Sequence, residues 1–226
     1  MRHFVGWSPT PQPSSRYDDP YVVTIKKGEQ WGEPVERPHD LPVMATDAAL
    51  ARREAVDGPV GLAGGDIFRS VGSPGPRRAS MCLLIDRLHV SFDGDTTVAV
   101  AHVVARREHR SIGRGFEWWS WWRGQVLAIC NADHVGRWNV APRAHPNDGR
   151  FDVVEVTEMT MRERWAARQR LVQGTHVPHP AITVRTATDA VWEFRQPMRI
   201  WIDGVDRGAC RRLAVTIEAD ALSIIV

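Results

Sequence analysis

The sequence predicts an α+β fold that is mostly β: an antiparallel β-sandwich preceded by a short α/β segment and crossed by one helix. Two observations predict it. From residue 81 onward, apolar runs of strand length recur with turn residues between them, and a single stretch in that half, 161–172, has helical composition. Upstream, between residues 41 and 66, strand, helix and strand signals follow in the order of one β-α-β unit.

Taken in chain order, residues 1–20 are rich in Pro, Ser and polar groups. They have too little apolar periodicity to offset the entropy of ordering and are expected to form a flexible lead. Residues 21–78 are expected to form a reduced α/β part. Within it 21–25 reads as a short strand, and 41–45 as a clearer one because it runs into Thr46 and Asp47, residue types that cap helix N-termini. The segment DAALARREAV, 47–56, reads as the helix. Asp57-Gly58-Pro59 closes it, and 60–63 is the second strand, ending in Gly64-Gly65-Asp66.

Residues 79–226 are expected to form the sandwich. Its strands are predicted at 81–90, 96–106, 125–132, 151–156, 181–186, 198–203, 213–218 and 221–226. Hairpin turns are predicted at Asp93-Gly94-Asp95, Asp203-Gly204 and Ala219-Asp220. The helix MRERWAARQRLV, 161–172, offers Trp165, Leu171 and Val172 as packing positions and has Gly174 just past its end. A two-layered sheet with the helix crossing one end satisfies this pattern.

A chain of 226 residues buries a real core without disulfide or metal staples. Its 29 basic and 27 acidic residues, a formal net charge of +2, are spread along the chain and give no block that points to nucleic acid or membrane. Cys82, Cys130 and Cys210 are odd in number and far apart, which fits a reducing compartment and lacks zinc-ligand spacing. The first twenty residues lack the apolar stretch of a signal peptide, and no run reaches the ~20 apolar residues of a spanning helix. A cytoplasmic protein, in peripheral contact with a membrane at most, is the expectation.

Three stretches occur in a telling order. The first is NADHVGRWNVAPRAHPNDGRFDVVEV, 131–156, in which an Asn-bearing strand end, a Gly turn, Ala-Pro and Asn-Asp-Gly precede a strand. The second is the helix followed by Gly174-Thr175-His176, and the third is RIWIDGVDRGACRRLAVTIEADALSIIV, with its Asp-Gly hairpin and closing strands. Together they resemble the C-terminal β-sandwich domain of the bacterial diacylglycerol kinase and YegS-type lipid kinases, which has the NAD kinase-like fold. A looser match, GLAGGDIFRSVG at 61–72, resembles a shortened form of a segment in that family's nucleotide-binding domain, with Asp66, Arg69 and Gly72 carrying it. On that resemblance residues 21–78 are a truncated nucleotide-binding domain.

The resemblance implies an ATP- and Mg²⁺-dependent transfer of phosphate to a lipid hydroxyl, with a carboxylate accepting the proton. Asp203 matches the family's base, and Gly64, Gly65, Asp66 and Arg69 match its nucleotide-binding segment. The Mg²⁺ site is matched at Asp148, with the carbonyls of His145 and Arg150 as further ligands. The plainer readings stand beside these: Asp203-Gly204 as a hairpin turn, Asn147-Asp148-Gly149 as an Asx turn, and His176 and His179 as loop residues around Pro178. The family's Glu after Asp-Gly is replaced by Val205. Its phosphate loop is absent, because Gly64-Gly65-Asp66 runs into Ile67-Phe68.

The run at 116–122 holds Trp118, Trp119, Trp121 and Trp122, four of the ten tryptophans. Core or dimer packing and contact with a lipid or membrane surface are both open for it. The expected function is that of a degenerate kinase serving as a binding or structural module, homo-oligomeric if the Trp run joins copies. The alternative is an active kinase of a lipid such as diacylglycerol.

Overall fold

A computed structural model describes residues 32–73, 79–107, 124–157 and 159–226. The expected lead, the strand at 21–25 and the Trp run with Trp118, Trp119, Trp121 and Trp122 lie outside the described residues.

The molecule is mostly β, as expected. Two hairpins show why the strand signals were readable. β4 (Ala79–Phe92) turns into β5 (Asp95–Ala99), and β12 (Asp189–Ile202) into β13 (Val205–Ile225), each through a two-residue Asp-Gly turn. Asp93 and Asp203 sit at φ 46° and their glycines at φ 101° and 77°, the left-handed pair that matches strand twist.

The main sheet runs β1-β4-β13-β12-β6-β7-β10-β11, where β1 is Glu33–Glu36, β6 His102–Arg107, β7 Val126–Cys130, β10 Phe151–Val156 and β11 Ile182–Ala187. All pairings along this path are antiparallel. Leu88, Val90, Leu213 and Val215 from one end of the path share a core with Val103, Leu127, Ile129, Phe151 and Val153 from the other, so the sheet folds over on itself as a sandwich.

Strands β6, β7 and β10 are buried on both faces. Val103, Leu127, Ile129 and Val153 point into the sandwich core, while Val104, Ala128 and Val154 point the other way into a second cluster. That second face lies against the crossover helix. It explains why apolar residues stand side by side in these strands, as at Val103-Val104, 126–130 and Val153-Val154, and do not strictly alternate with polar ones.

The β-α-β unit is present but smaller than predicted. β2 (Val43–Met44) and β3 (Val60–Leu62) pair in parallel, and β3 continues in parallel onto the last residues of β13. Helix α1 spans Asp47–Ala51, with the Thr46 hydroxyl accepting the Ala49 amide as the cap. It stops five residues before the predicted end because the Asp57 carboxylate accepts the Glu54 amide and re-forms the chain as a 3₁₀ turn, Ala55–Asp57. A short helix not foreseen, α2 (Asp66–Ser70), follows β3.

Two further expectations are corrected. Ala219-Asp220 is not a hairpin: Glu218 pairs with Arg87 and Leu222 with Ile85 on the same strand, so 219–221 bulge opposite Asp86, with Asp220 at φ 54°. The crossover helix α3 (Met161–Leu171) forms where predicted and begins with a Thr160–Glu163 capping box, but Trp165 is 65% exposed and Val172 56%. Arg164, Ala167 and Leu171 face inward instead. Arg164 is tolerated there because its guanidinium donates to the Met159 and Gly124 carbonyls.

Candidate functional site

A cleft of about 840 Å³ opens where the β-α-β unit meets the sandwich. Its acidic side is built by three carboxylates that the topology brings together from separate elements: Asp47 from α1, Asp66 from α2 and Asp203 from the β12–β13 turn. Each is committed to main-chain amides. Asp203 Oδ1 accepts from Ala101 and His102 at 3.0 Å and Oδ2 from Val100 at 2.9 Å, pinning the β5–β6 connection. One acceptor position of the four on that carboxylate is left. Asp66 Oδ2 accepts the Gly136 amide at 2.8 Å and lies 3.4 Å from His102 Nδ1.

Asp47 occupies the place that matters for phosphate. Its Oδ2 accepts the Asp66 amide at 2.5 Å and its Oδ1 the Ile67 amide at 3.1 Å, the first free donors of α2. Gly65 makes this fit: it sits at φ 98°, and a Cβ there would run into the Asp47 carboxylate. Donors that might have faced an anion therefore already hold one.

Burial dominates the electrostatics. It raises the pKa of Asp203 to about 6, against three lowering amide bonds, and raises those of Asp47 and Asp66. Burial likewise pushes His102 down, with Asp66 and Asp47 opposing, so the imidazole is neutral at pH 7. The far wall is aromatic and basic. The guanidiniums of Arg137 and Arg168 lie 4.4 and 5.4 Å from the Trp138 ring centre, and Arg106 lies 4.9 Å from that of Trp201.

An apolar groove of about 80 Å³ adjoins this wall and shares Val104, Val135 and Trp138 with the cleft. Ala128, Val154 and Val156 form its floor, and Ala167 and Leu171 of α3 its roof. His176, 3% exposed, lines it with the Val140 carbonyl as its polar neighbour. Desolvation lowers its pKa, opposed by that carbonyl, and leaves it neutral.

The sequence-predicted residues divide between two places. Gly65, Asp66 and Asp203 line the cleft, Gly64 lies next to them, and Arg69 is exposed outside the lining. His145, Asp148 and Arg150 lie apart, on the loop before β10. There Asp148 Oδ1 accepts the Arg150 amide at 3.0 Å as an Asx turn, and His145 Nδ1 accepts the Asn147 amide at 3.2 Å. Asp86 joins them, its Oδ1 accepting Asp220 N and its Oδ2 Gly149 N. Burial first, then neighbouring Asp86 and Asp152, pushes Asp148 up to about 7, and burial holds Asp86 and Asp152 at about 6.

These crowded carboxylates call for a proton or a hard cation, and an all-oxygen donor set suits Mg²⁺. Among the described residues, however, no group of three or more His, Cys, Asp or Glu side chains is placed to hold a metal. A cation there would take Asp148 and carbonyl oxygens. Sequence reasoning missed Asp47, Asp86, His102 and Trp138. The signal available for Asp86 and His102 was a polar residue interrupting an apolar strand, in LLIDRL and VAHVV.

Residues 85–226 match the model of a family described as the YegS C-terminal NAD kinase beta sandwich-like domain. The fold is similar to that of a protein designated a diacylglycerol kinase from Bacillus anthracis strain Sterne, at 10% identity and a TM-score of 0.52, covering 73% of this chain and 68% of that one. A second protein so designated from the same strain gives 11% identity and a TM-score of 0.47 over 73% and 66%. The chain thus spans about two thirds of the length of these proteins. No curated protein matches it.

Proposed function

The chain belongs to the family of YegS C-terminal NAD kinase beta sandwich-like domains, and from that premise we propose that it is a degenerate lipid kinase whose phosphate cradle is closed from within and which binds an amphiphile. The carrying observation is Asp47, whose carboxylate takes both the Asp66 and Ile67 amides. A triphosphate entering there would meet three carboxylates instead of free donors, and its own charge would be repelled. The cleft and the apolar groove share a wall, which suits a ligand with a polar head and a short or partly inserted chain. The family resemblance favours a lipid of the diacylglycerol kind. His176 offers a neutral imidazole to an ester or hydroxyl oxygen in that groove.

Calorimetric titration with Mg-ATP tests the first half, with no saturable binding expected at micromolar concentration. Micromolar binding that disappears in Gly65→Ala or Asp66→Ala overturns it. Displacement of a fluorescent short-chain diacylglycerol tests the second half. Ala128→Leu, which fills the groove from its floor, is expected to weaken binding at least about tenfold. Unchanged affinity in that variant moves the ligand elsewhere.

A second reading, an active lipid kinase, is favoured by Asp203. Its pKa of about 6 suits a general base near neutrality, and one acceptor position remains on it. On this reading Mg²⁺ sits at Asp148 and the described carbonyl loop. Transfer of γ-phosphate to diacylglycerol by the wild type, lost in Asp203→Asn, would establish it.

A further inference from the structure

The two sides of the cleft carry opposite charge. On one side stand Asp47, Asp66 and Asp203, and among the described residues no lysine or arginine forms an ion pair with any of them. Asp66 Oδ1 accepts no hydrogen bond from the described residues, and Asp203 keeps its fourth acceptor position. His102, 5% exposed, lies beside these acids with no hydrogen bond on Nδ1 and is neutral, so it cancels none of their charge. On the other side exposed Arg137 lies over Trp138, with Arg168 on the same ring. The sides follow one another along β6, whose even-numbered residues share a face. His102 stands at the acids, Val104 is common to cleft and groove, and Arg106 belongs to the groove wall. Successive members of that row are about 7 Å apart.

Building on the binding of an amphiphile across cleft and groove, we propose that its head is zwitterionic: a phosphate at Arg137 that carries a short amine arm, with the ammonium at Asp66 and Asp203. Tail in the groove, anion beside Trp138 and cation at the acids is the order in which such a head is built outward from its chains. An ammonium donates to both open carboxylate positions, and these charge-assisted bonds are stronger than those of a hydroxyl. A head that is only anionic would reach the arginine but bring no cation to the acids. A neutral head would leave both charged sides without a counter-charge.

Calorimetric titration of the full chain with dihexanoyl phosphatidylethanolamine, dihexanoyl phosphatidylglycerol and dihexanoylglycerol, each below its micelle concentration, tests the proposal. The ethanolamine lipid is expected to bind at least about tenfold more tightly than either of the others. Arg137→Gln is expected to weaken it about threefold, as suits an exposed charge, and to leave dihexanoylglycerol unchanged. Asp66→Asn keeps an oxygen for the Gly136 amide and is expected to abolish the preference for the ethanolamine over the glycerol head. Thermal melts within a few degrees of wild type verify that the variants fold, and Arg137→Gln, at an exposed position, carries the test where Asp66→Asn does not.

Binding of the ethanolamine lipid no tighter than that of the other two overturns the proposal, and the amphiphile reading survives where dihexanoylglycerol still binds. A preference that neither variant alters places the head elsewhere and overturns it equally. Ala128→Leu separates the two levels: if it leaves the ethanolamine lipid bound while Arg137→Gln and Asp66→Asn weaken it, the head site stands and the groove reading falls. Absence of binding by all three lipids overturns both.

Discussion

Asp93 and Asp203 put one side chain to the same use: each occupies the left-handed corner of an Asp-Gly turn and turns its carboxylate onto amides of a neighbouring segment, Arg211 and Arg212 for Asp93, Val100 to His102 for Asp203. The device is structural in the first case, since Asp93 lines neither cavity. Its recurrence at Asp203 supports the turn role there independently of any chemistry. Asp148 differs, because its charge is the costly part. Its pKa in the fold, about 7, lies above the ordinary 3.8, so the folded chain binds the proton more tightly than the unfolded chain between those values. Stability from this group is therefore full below about pH 4 and falls as pH rises through 7. Asp148→Asn keeps the oxygen that accepts the Arg150 amide and removes the charge. It is expected to stabilise the protein at pH 8 by of order 1–2 kcal/mol, discounted for partial exposure, and to be neutral at pH 4, as thermal melts at the two pH values would show.

At the scale of elements, α3 is the informative case. Its start was legible, because Thr160 and Glu163 at N-cap and N3 are a capping box and both reciprocal bonds form. Removing the hydroxyl in Thr160→Ala is expected to lower stability by about 1 kcal/mol in urea denaturation, with the slope unchanged. Its orientation was not legible. Trp165 and Leu171 are both apolar, and hydropathy alone puts both inside. The helix instead seats the small Ala167 and Leu171 over Val104, Ala128 and Val154, and draws in Arg164, whose donors find two carbonyls that are distant in sequence or outside the helix. Strands β6, β7 and β10 were the reverse case. Their apolar runs marked them as strands, and Phe151–Val156 lies where the pattern put it, while burial on two faces is a finding of the structure.

At the scale of the molecule, β13 ties the parts together, pairing with β12, then with β4, and finally in parallel with β3 of the β-α-β unit. The bulge at 219–221 interrupts the pairing with β4 and falls between the stretches of β13 paired with β12 and with β3, and Asp86 fills it, joining the Asp220 amide to the Gly149 amide of the loop before β10. Asp86→Ala strands both donors. It is expected to cost about 2–4 kcal/mol, read as a lowered urea midpoint at pH 6, with hydrogen exchange quickened at Gly149 and Asp220. Hydropathy and turn chemistry act between residues a few positions apart, and so the sequence by itself determined the mostly β class, the two Asp-Gly hairpins, much of the sandwich strands and the crossover helix, but not β1, the first half of β12 or the break between β5 and β6. It also placed Asp66 and Asp203 as residues to watch. Only the tertiary structure decided that Asp47 caps α2, that Asp86 meets the 145–152 loop, and that Trp165 faces outward. Each of these depends on where a partner more than a dozen residues away, or a whole covering face, comes to rest, and no local spacing encodes that.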